Sequence, residues 1–218
     1  MPRINHRQRI YDVIRSRILR GEVATDERLV DTTIAAEMGV SRMPVREAMM
    51  QLVSEGYLEG TTRGFALPRL GHDRIAEIFL LRRLLEPRAA ASAALAMTDA
   101  ELGILSQTFA DSEATLNTED FEAFYRASES FRDAWLSAVP NAELRAAIQR
   151  YVGQVQAVRL ATMRDPEVHH VIVAGQRDLL DTFVRRDPLD AADRILRFVL
   201  DAEASWLRTR EEPEHPSR

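Results

Sequence analysis

The sequence predicts a mainly α fold in two parts: an N-terminal winged helix-turn-helix with a small β-hairpin over residues 1–70, and a C-terminal all-α antiparallel helical bundle over residues 71–218. Three observations predict it. Three short amphipathic segments each end at a glycine, Gly21, Gly39 or Gly56. A strand-like stretch from Tyr57 to Pro68 then turns around Gly60 and Gly64, and everything after His72 carries helical periodicity.

From Arg7 to Leu19 the residues Ile10, Val13, Ile14, Ile18 and Leu19 recur at helical spacing, and Gly21 stops the helix. Asp31 precedes a short helix from Thr32 to Met38, with Ile34, Ala35 and Met38 inward and Gly39 in the left-handed conformation of a tight turn. Ser41 stands where a third helix needs a cap. Pro44 falls in its first turn, where a missing backbone N–H costs nothing. That helix runs to about Ser54. The following hairpin places Thr61, Thr62 and Arg63 near its tip, and Pro68 and Gly71 mark a linker.

The second part divides into helices at about 72–97, 99–117, 119–139, 141–164, 168–186 and 189–209. Thr98 and Glu101 have the spacing of a capping box, and Asp187 before Pro188 pairs a cap with proline at the first helical position. Short connections between such helices imply antiparallel neighbours.

Composition excludes several chemistries. Hydrophobic residues make up 45% and charged residues 29% of the 218, the balance of a water-soluble globular chain, and no apolar run approaches a membrane span. No signal peptide is legible, so the expected location is the cytoplasm. All 29 basic residues are arginine, so no lysine amine is present for Schiff-base catalysis. Without cysteine there is no thiolate nucleophile, disulfide or Cys-bound zinc. The chain is therefore expected not to be an enzyme. Residues 1–70 carry a net charge of +2 and the remainder −7, which suits a polyanionic partner for the first part alone.

The third helix has two faces. Val45, Ala48, Met49 and Leu52 share one side, while Arg42 and Arg46, four residues apart, share the other. Two guanidiniums at the start of a helix presented by a glycine turn suit a DNA major groove, where arginine binds guanine O6 and N7. Ser41 at the helix N-terminus suits a phosphate, and Arg63 beside Gly64 suits the adjacent minor groove or backbone. Thr32 and Pro44 complete the candidate DNA-binding set. The plainer reading pairs Arg42 and Arg46 with Glu47 or Glu55 on a solvated helix.

The stretch GVSRMPVREAMMQLVSEGYL from Gly39 to Leu58, with Glu27-Arg28-Leu29 before it and Arg63-Gly64 after it, resembles the GntR family of bacterial transcription regulators. Met43 replaces a common Thr, and Thr25-Asp26 replaces the usual Pro-Gly. Leu81-Arg82-Arg83-Leu84-Leu85-Glu86-Pro87-Arg88-Ala89-Ala90 is similar to the opening helix of the FCD ligand-binding domain of the FadR-type subfamily. The two resemblances span nearly the whole chain.

The resemblance implies a divalent metal held by one Asp and three His. The first two ligands usually stand in a DxxFH pattern, where this chain has Ser128 and Arg132. The third usually lies in EHRxLL and the fourth 22 residues on in RxHL. Written onto this sequence, these positions fall at Arg177 and Val199. A hydroxyl, two cations and a methyl group would repel a metal ion, so no metal is expected. In metal-bearing relatives the ion helps hold a carboxylate effector, as the resemblance implies. Here Arg132 and Arg177 are expected to supply that charge to a small anionic metabolite, with Arg82, Arg126 or Arg159 assisting. Glu129, Asp133 or Asp178 could instead pair with those arginines, and Arg82 with Glu86. His169 and His170, adjacent on a helix, point about 100° apart and are poor joint ligands. Trp135, Phe198 and Trp206 stand at core-like positions.

The sequence thus leads to a cytoplasmic homodimer that binds a palindromic duplex, most simply as a repressor, and responds to a small anionic metabolite. Two other readings fit less of it: a dimeric DNA-binding protein without an effector, and an all-α enzyme.

Overall fold

The computed structural model describes residues 6–211 apart from 25, 69, 70, 117, 119, 155–158, 160–162, 164 and 165. The chain separates into two compact units, one of the residues up to His72 together with a short stretch that begins at Val152 near the end of the seventh helix, the other of the remainder from Asp73 on.

The first unit contains α1 (His6–Leu19), α2 (Asp31–Met38), α3 (Arg42–Ser54) and an antiparallel hairpin of β1 (Glu59–Thr61) and β2 (Gly64–Ala66). Val45, Ala48, Met49 and Leu52 of α3 are fully buried and pack with Ile10, Ile14 and Ile18 of α1 to form its core. Burying each of the larger ones contributes about 1.5–3 kcal/mol. Gly39 takes φ 63° and ψ 35° at the end of α2, so the chain reverses into α3 through the left-handed conformation. The hairpin pairs Glu59 with Ala66, Gly60 with Phe65 and Thr61 with Gly64, which leaves Thr62 and Arg63 as its two-residue tip. Leu29 adds a short third rung through reciprocal backbone bonds with Phe65 of 2.8 and 2.9 Å.

The second unit contains α4 (His72–Ala96), α5 (Asp99–Ala114), α6 (Phe121–Ser137), α7 (Ala142–Gln154), α8 (Pro166–Val184) and α9 (Pro188–Glu211). The Thr98 hydroxyl accepts from the Glu101 N–H, and the Glu101 carboxylate accepts from the Thr98 N–H, so the capping box is complete. The helix expected from 168 begins two residues earlier, at Pro166, a residue suited to a first turn. Helix α7 is described to Gln154; the rest of the expected 141–164 helix falls largely outside the described residues. The inward stripe of α4 reads Ile75, Ile78, Phe79, Arg82, Glu86, Ala89, Ala90, Ala93 and Ala94. Two charged side chains occupy helical positions where the core asks for apolar ones.

Candidate functional site

The N-terminal unit presents Arg42 and Arg46 outward, with side chains 63% and 60% exposed. The glutamates considered from the sequence do not hold them. Glu55 instead accepts from the Tyr11 hydroxyl and from Gln51. Asp31, nearly buried, takes their place: Arg42 Nη2 lies 3.4 Å from both of its carboxylate oxygens and Arg46 Nη1 lies 3.6 Å from Oδ2. Asp31 is the first residue of α2, one position inside the expected boundary, because Val30 is the N-cap. It therefore gathers two arginines from successive turns of α3.

Ser41 is the N-cap of α3, yet its hydroxyl makes no capping bond. The usual donor at the third helical position is Pro44, which has no N–H, so the expected side-chain cap cannot form there. The Ser41 hydroxyl is left exposed beside the helix N-terminus, as are Thr32 in the first turn of α2 and Arg63 at the hairpin tip. Gly64 takes φ 127°, and a Cβ there would stand 2.6 Å from the Leu29 carbonyl oxygen. Only glycine lets the hairpin approach Leu29 this closely.

In the second unit Glu86 is fully buried between two guanidiniums. Arg82 Nε donates to its Oε1 at 2.7 Å, and Arg132 Nη2 donates to the same oxygen at 2.9 Å. Burial alone would raise the Glu86 carboxyl. The charges of Arg132 and Arg82, with their hydrogen bonds, outweigh that and hold it at about 2. Burial lowers the Arg132 guanidinium, against the pull of Glu86, and Arg82 and Arg159 lower it further. The cluster favours the carboxylate strongly while Arg132 remains a strained cation.

Arg132 opens onto a cavity of about 90 Å³. Arg82 of α4 lines it, as do Ser128, Phe131, Arg132 and Trp135 of α6; α8 contributes Ile172, Gly175, Gln176 and Leu179, and α9 contributes Ile195, Phe198, Asp201 and Ser205. Arg159 and Met163 also reach it. Three buried polar atoms among these side chains have no hydrogen-bond partner: Ser128 Oγ, Arg132 Nε and Gln176 Oε1.

The effector candidates separate accordingly. Arg82, Ser128, Arg132 and Arg159 line the cavity; Arg126, Arg177 and Val199 do not. Arg126 is exposed and pairs with Glu122. Arg177 is exposed, pairs with Glu113 and lies over the Phe109 ring. Val199 is buried in the core. The register explains the difference. Laying EHRxLL over Leu179-Leu180 sets its His at Gln176, and 22 residues further stands Phe198. Both line the cavity, and a slip of one residue turns a helical side chain by about 100°.

The donor set at the four implied ligand positions is therefore Ser128, Arg132, Gln176 and Phe198. It does not fit a divalent cation, because it offers no carboxylate or imidazole and places a guanidinium at its centre. The nearest buried carboxylate, Glu86, already accepts from two arginines. Among the described residues no group of three or more His, Asp or Glu could hold a metal. His169 donates to the Met163 carbonyl at 2.6 Å and stacks on Phe124, and His170 is exposed.

Gln176 and Gly175 are among the cavity residues outside the expected set. Gln176 stands one position before Arg177, the residue to which the motif points on the sequence. Gly175 had a usable signal: an isolated glycine inside a helix marks close packing. A Cβ there would stand 2.6 Å from Phe198 Cδ2, so the missing side chain lets that ring lie against the helix backbone.

A winged helix-turn-helix with two exposed arginines at the head of its third helix, followed by a helical unit whose mainly apolar cavity also takes in three arginines, defines a DNA-binding transcription regulator. The chain belongs to the GntR family: the model for bacterial regulatory proteins of the gntR family matches residues 6–64, and that for the FCD domain matches residues 77–201. It is 25% identical over 189 residues to the HTH-type transcriptional regulator YdhC of Bacillus subtilis, covering 85% of this chain and 84% of that protein. It is also 42% identical over 73 residues to the gluconate operon transcriptional repressor of the same species, covering 34% of this chain and 30% of the repressor. In fold it is similar to Escherichia coli McbR/YncC, with a TM-score of 0.77 at 20% identity, covering 94% of this chain and 98% of that one. A GntR regulator from Rhodococcus sp. RHA1 gives 0.75 at 20% identity, covering 93% and 97%. Among the described residues no helix is long and apolar enough to cross a membrane.

Proposed function

We propose that this protein is a ligand-responsive, non-enzymatic repressor that acts in the cytoplasm as a homodimer on a palindromic DNA site. Arg42 and Arg46 contact base edges in the major groove, and Thr32, Ser41, Pro44, Arg63 and Gly64 fix the unit against backbone and wing contacts. A small anionic metabolite enters the helical unit and weakens DNA binding. The observation that carries the ligand half is the cavity with its three buried, unpartnered polar atoms, since buried polar groups ordinarily have partners. The likeness of the N-terminal region to the gluconate operon repressor supports the repressor half. The coupling between sites is a free energy and acts in both directions: whatever factor the ligand takes from DNA affinity, DNA takes from ligand affinity.

Selection of bound duplexes from a random pool tests the first half. The expected product is an inverted repeat whose enrichment is lost with Arg42→Ala. The selected duplex then serves for release by fractionated small-molecule extract. A fraction that lowers affinity supports the repressor reading, and an affinity indifferent to every fraction would leave a DNA-binding dimer without an effector.

A further inference from the structure

We infer that Met43 is a base-reading residue of α3, and that each half-site of the bound duplex presents it with the 5-methyl group of a thymine in the major groove. This rests on reading the N-terminal unit as the DNA-binding half and adds a base that it selects. Met43 is 63% exposed and Met50 is 52% exposed, although both side chains are apolar. They stand seven residues apart on α3, within about 20° of each other around its axis. At about 100° per residue, Met43 falls almost diametrically opposite the middle of the buried set Val45, Ala48, Met49 and Leu52. Arg42 and Arg46 lie to one side of this line, and Asp31 at the head of α2 draws both guanidiniums that way, at 3.4 and 3.6 Å. The crest of the outward face is therefore a thioether and not a guanidinium.

The chemistry of that side chain selects its target. A thioether has no hydrogen to donate and its sulfur accepts only weakly, so Met43 cannot tell base edges apart by hydrogen bonding. The apolar group that base edges present in the major groove is the 5-methyl of thymine. A flexible, polarizable side chain gains by covering it, whereas at cytosine or a purine it would strip water from polar atoms and return no partner. Position along the helix favours Met43 over Met50. Met43 is the second residue of α3, at the end whose residues meet base edges, and Met50 stands about 10 Å farther along the axis. Met43 also occupies a place where the family commonly has Thr, so the preference belongs to the substitution in this chain. The thymine lies in the same half-site as the guanines that suit Arg42 and Arg46. Covering one methyl-sized group corresponds to about a three- to fivefold change in affinity per half-site, and about ten- to twenty-fivefold for two.

The test uses the full chain and the duplex selected from the random pool, with the thymines of each half-site replaced one at a time by deoxyuridine. Deoxyuridine removes the methyl group alone and keeps the base pair and the O4 acceptor. Fluorescence anisotropy is expected to show a thymine in each half-site at which replacement costs the wild type about three- to fivefold, and about ten- to twenty-fivefold with both half-sites replaced. Met43→Ala, at an exposed position, is expected to fold like the wild type, to bind the unmodified duplex more weakly by that factor, and to bind the thymine and deoxyuridine forms alike. Met43→Leu, which keeps an apolar side chain of similar reach, and Met50→Ala are both expected to retain the difference. Four results each overturn the inference and leave the DNA reading standing: no thymine whose replacement matters, a Met43→Ala protein as sensitive as the wild type, a sensitivity lost in Met43→Leu, or one lost in Met50→Ala. A pool that yields no enriched duplex sinks the DNA reading itself and the inference with it.

Discussion

Replacing Glu86 with Gln keeps the shape of the buried side chain and removes only its charge, so it isolates the energetics of the Arg82–Glu86–Arg132 cluster. The carboxyl is held at about 2 against an ordinary 4.5, a difference worth on the order of 3 kcal/mol. Arg132 returns part of this, since its own charged form is disfavoured. The substitution also strands two guanidiniums that are 6% and 11% exposed, and breaking a buried pair from one side costs about 3–5 kcal/mol. Glu86→Gln is therefore expected to destabilise the helical unit by about 3–4 kcal/mol at pH 7, seen as a drop in melting temperature of roughly 10 °C. The sign with pH follows from the lowered pKa: the contribution is complete above about 4.5 and is lost as pH falls toward 2. The gap between wild type and variant should accordingly narrow over that window in urea titrations followed by circular dichroism. Replacing the whole cluster with apolar residues, Arg82→Met, Glu86→Leu and Arg132→Met together, should cost far less, because no charge is left unpaired. A loss below about 1 kcal/mol for Glu86→Gln at pH 7, or one that does not shrink in acid, would refute the reasoning.

Arg42→Ala and Arg46→Ala are each expected to weaken binding to the selected duplex by about 1–3 kcal/mol and to relax preference at one base position, whereas Arg63→Ala should weaken all sequences alike; fluorescence anisotropy on mutated duplexes distinguishes these outcomes. Asp31→Asn frees both arginines from their shared carboxylate, so affinity for random-sequence DNA should rise and the specific-to-random ratio fall. An unchanged ratio would show that Asp31 does not restrain them. Gly175→Ala pushes the Phe198 ring off the helix and into the cavity, and calorimetry should show ligand affinity falling more than tenfold while stability drops by about 1–3 kcal/mol.

What was legible in the sequence was whatever local chemistry alone decides. The buried face of α3, Val45, Ala48, Met49 and Leu52, follows from helical spacing, and Gly39 adopts the left-handed turn because no side chain favours it there. The capping box at Thr98 and Glu101 spans three residues and needs nothing from the rest of the chain. Ser41 failed as a side-chain cap for an equally local reason, since Pro44 removes the donor, and both residues were in plain view.

The cavity was only half legible because its geometry depends on partners far apart in sequence. Arg132 meets Glu86 across 46 positions, and neither Glu129 nor Asp133 on its own helix takes that place. The stripe of α4 held the clue: Arg82 and Glu86 interrupt an apolar series at the spacing of its buried face, and a buried charge must find opposite charge. The register of α8 was the harder matter. A motif of short spacing fits a sequence almost as well one residue out of register, but a helix does not, because a turn of about 100° exchanges core for solvent. Arg177 and Gln176 are neighbours in sequence, yet one lies against Glu113 at the surface and the other faces Arg132's cavity. Taking the inward residue changes the chemistry assigned to the site. A neutral carboxamide stands where a further guanidinium was expected, so the cavity's positive charge comes from Arg82, Arg132 and Arg159 alone among the described residues.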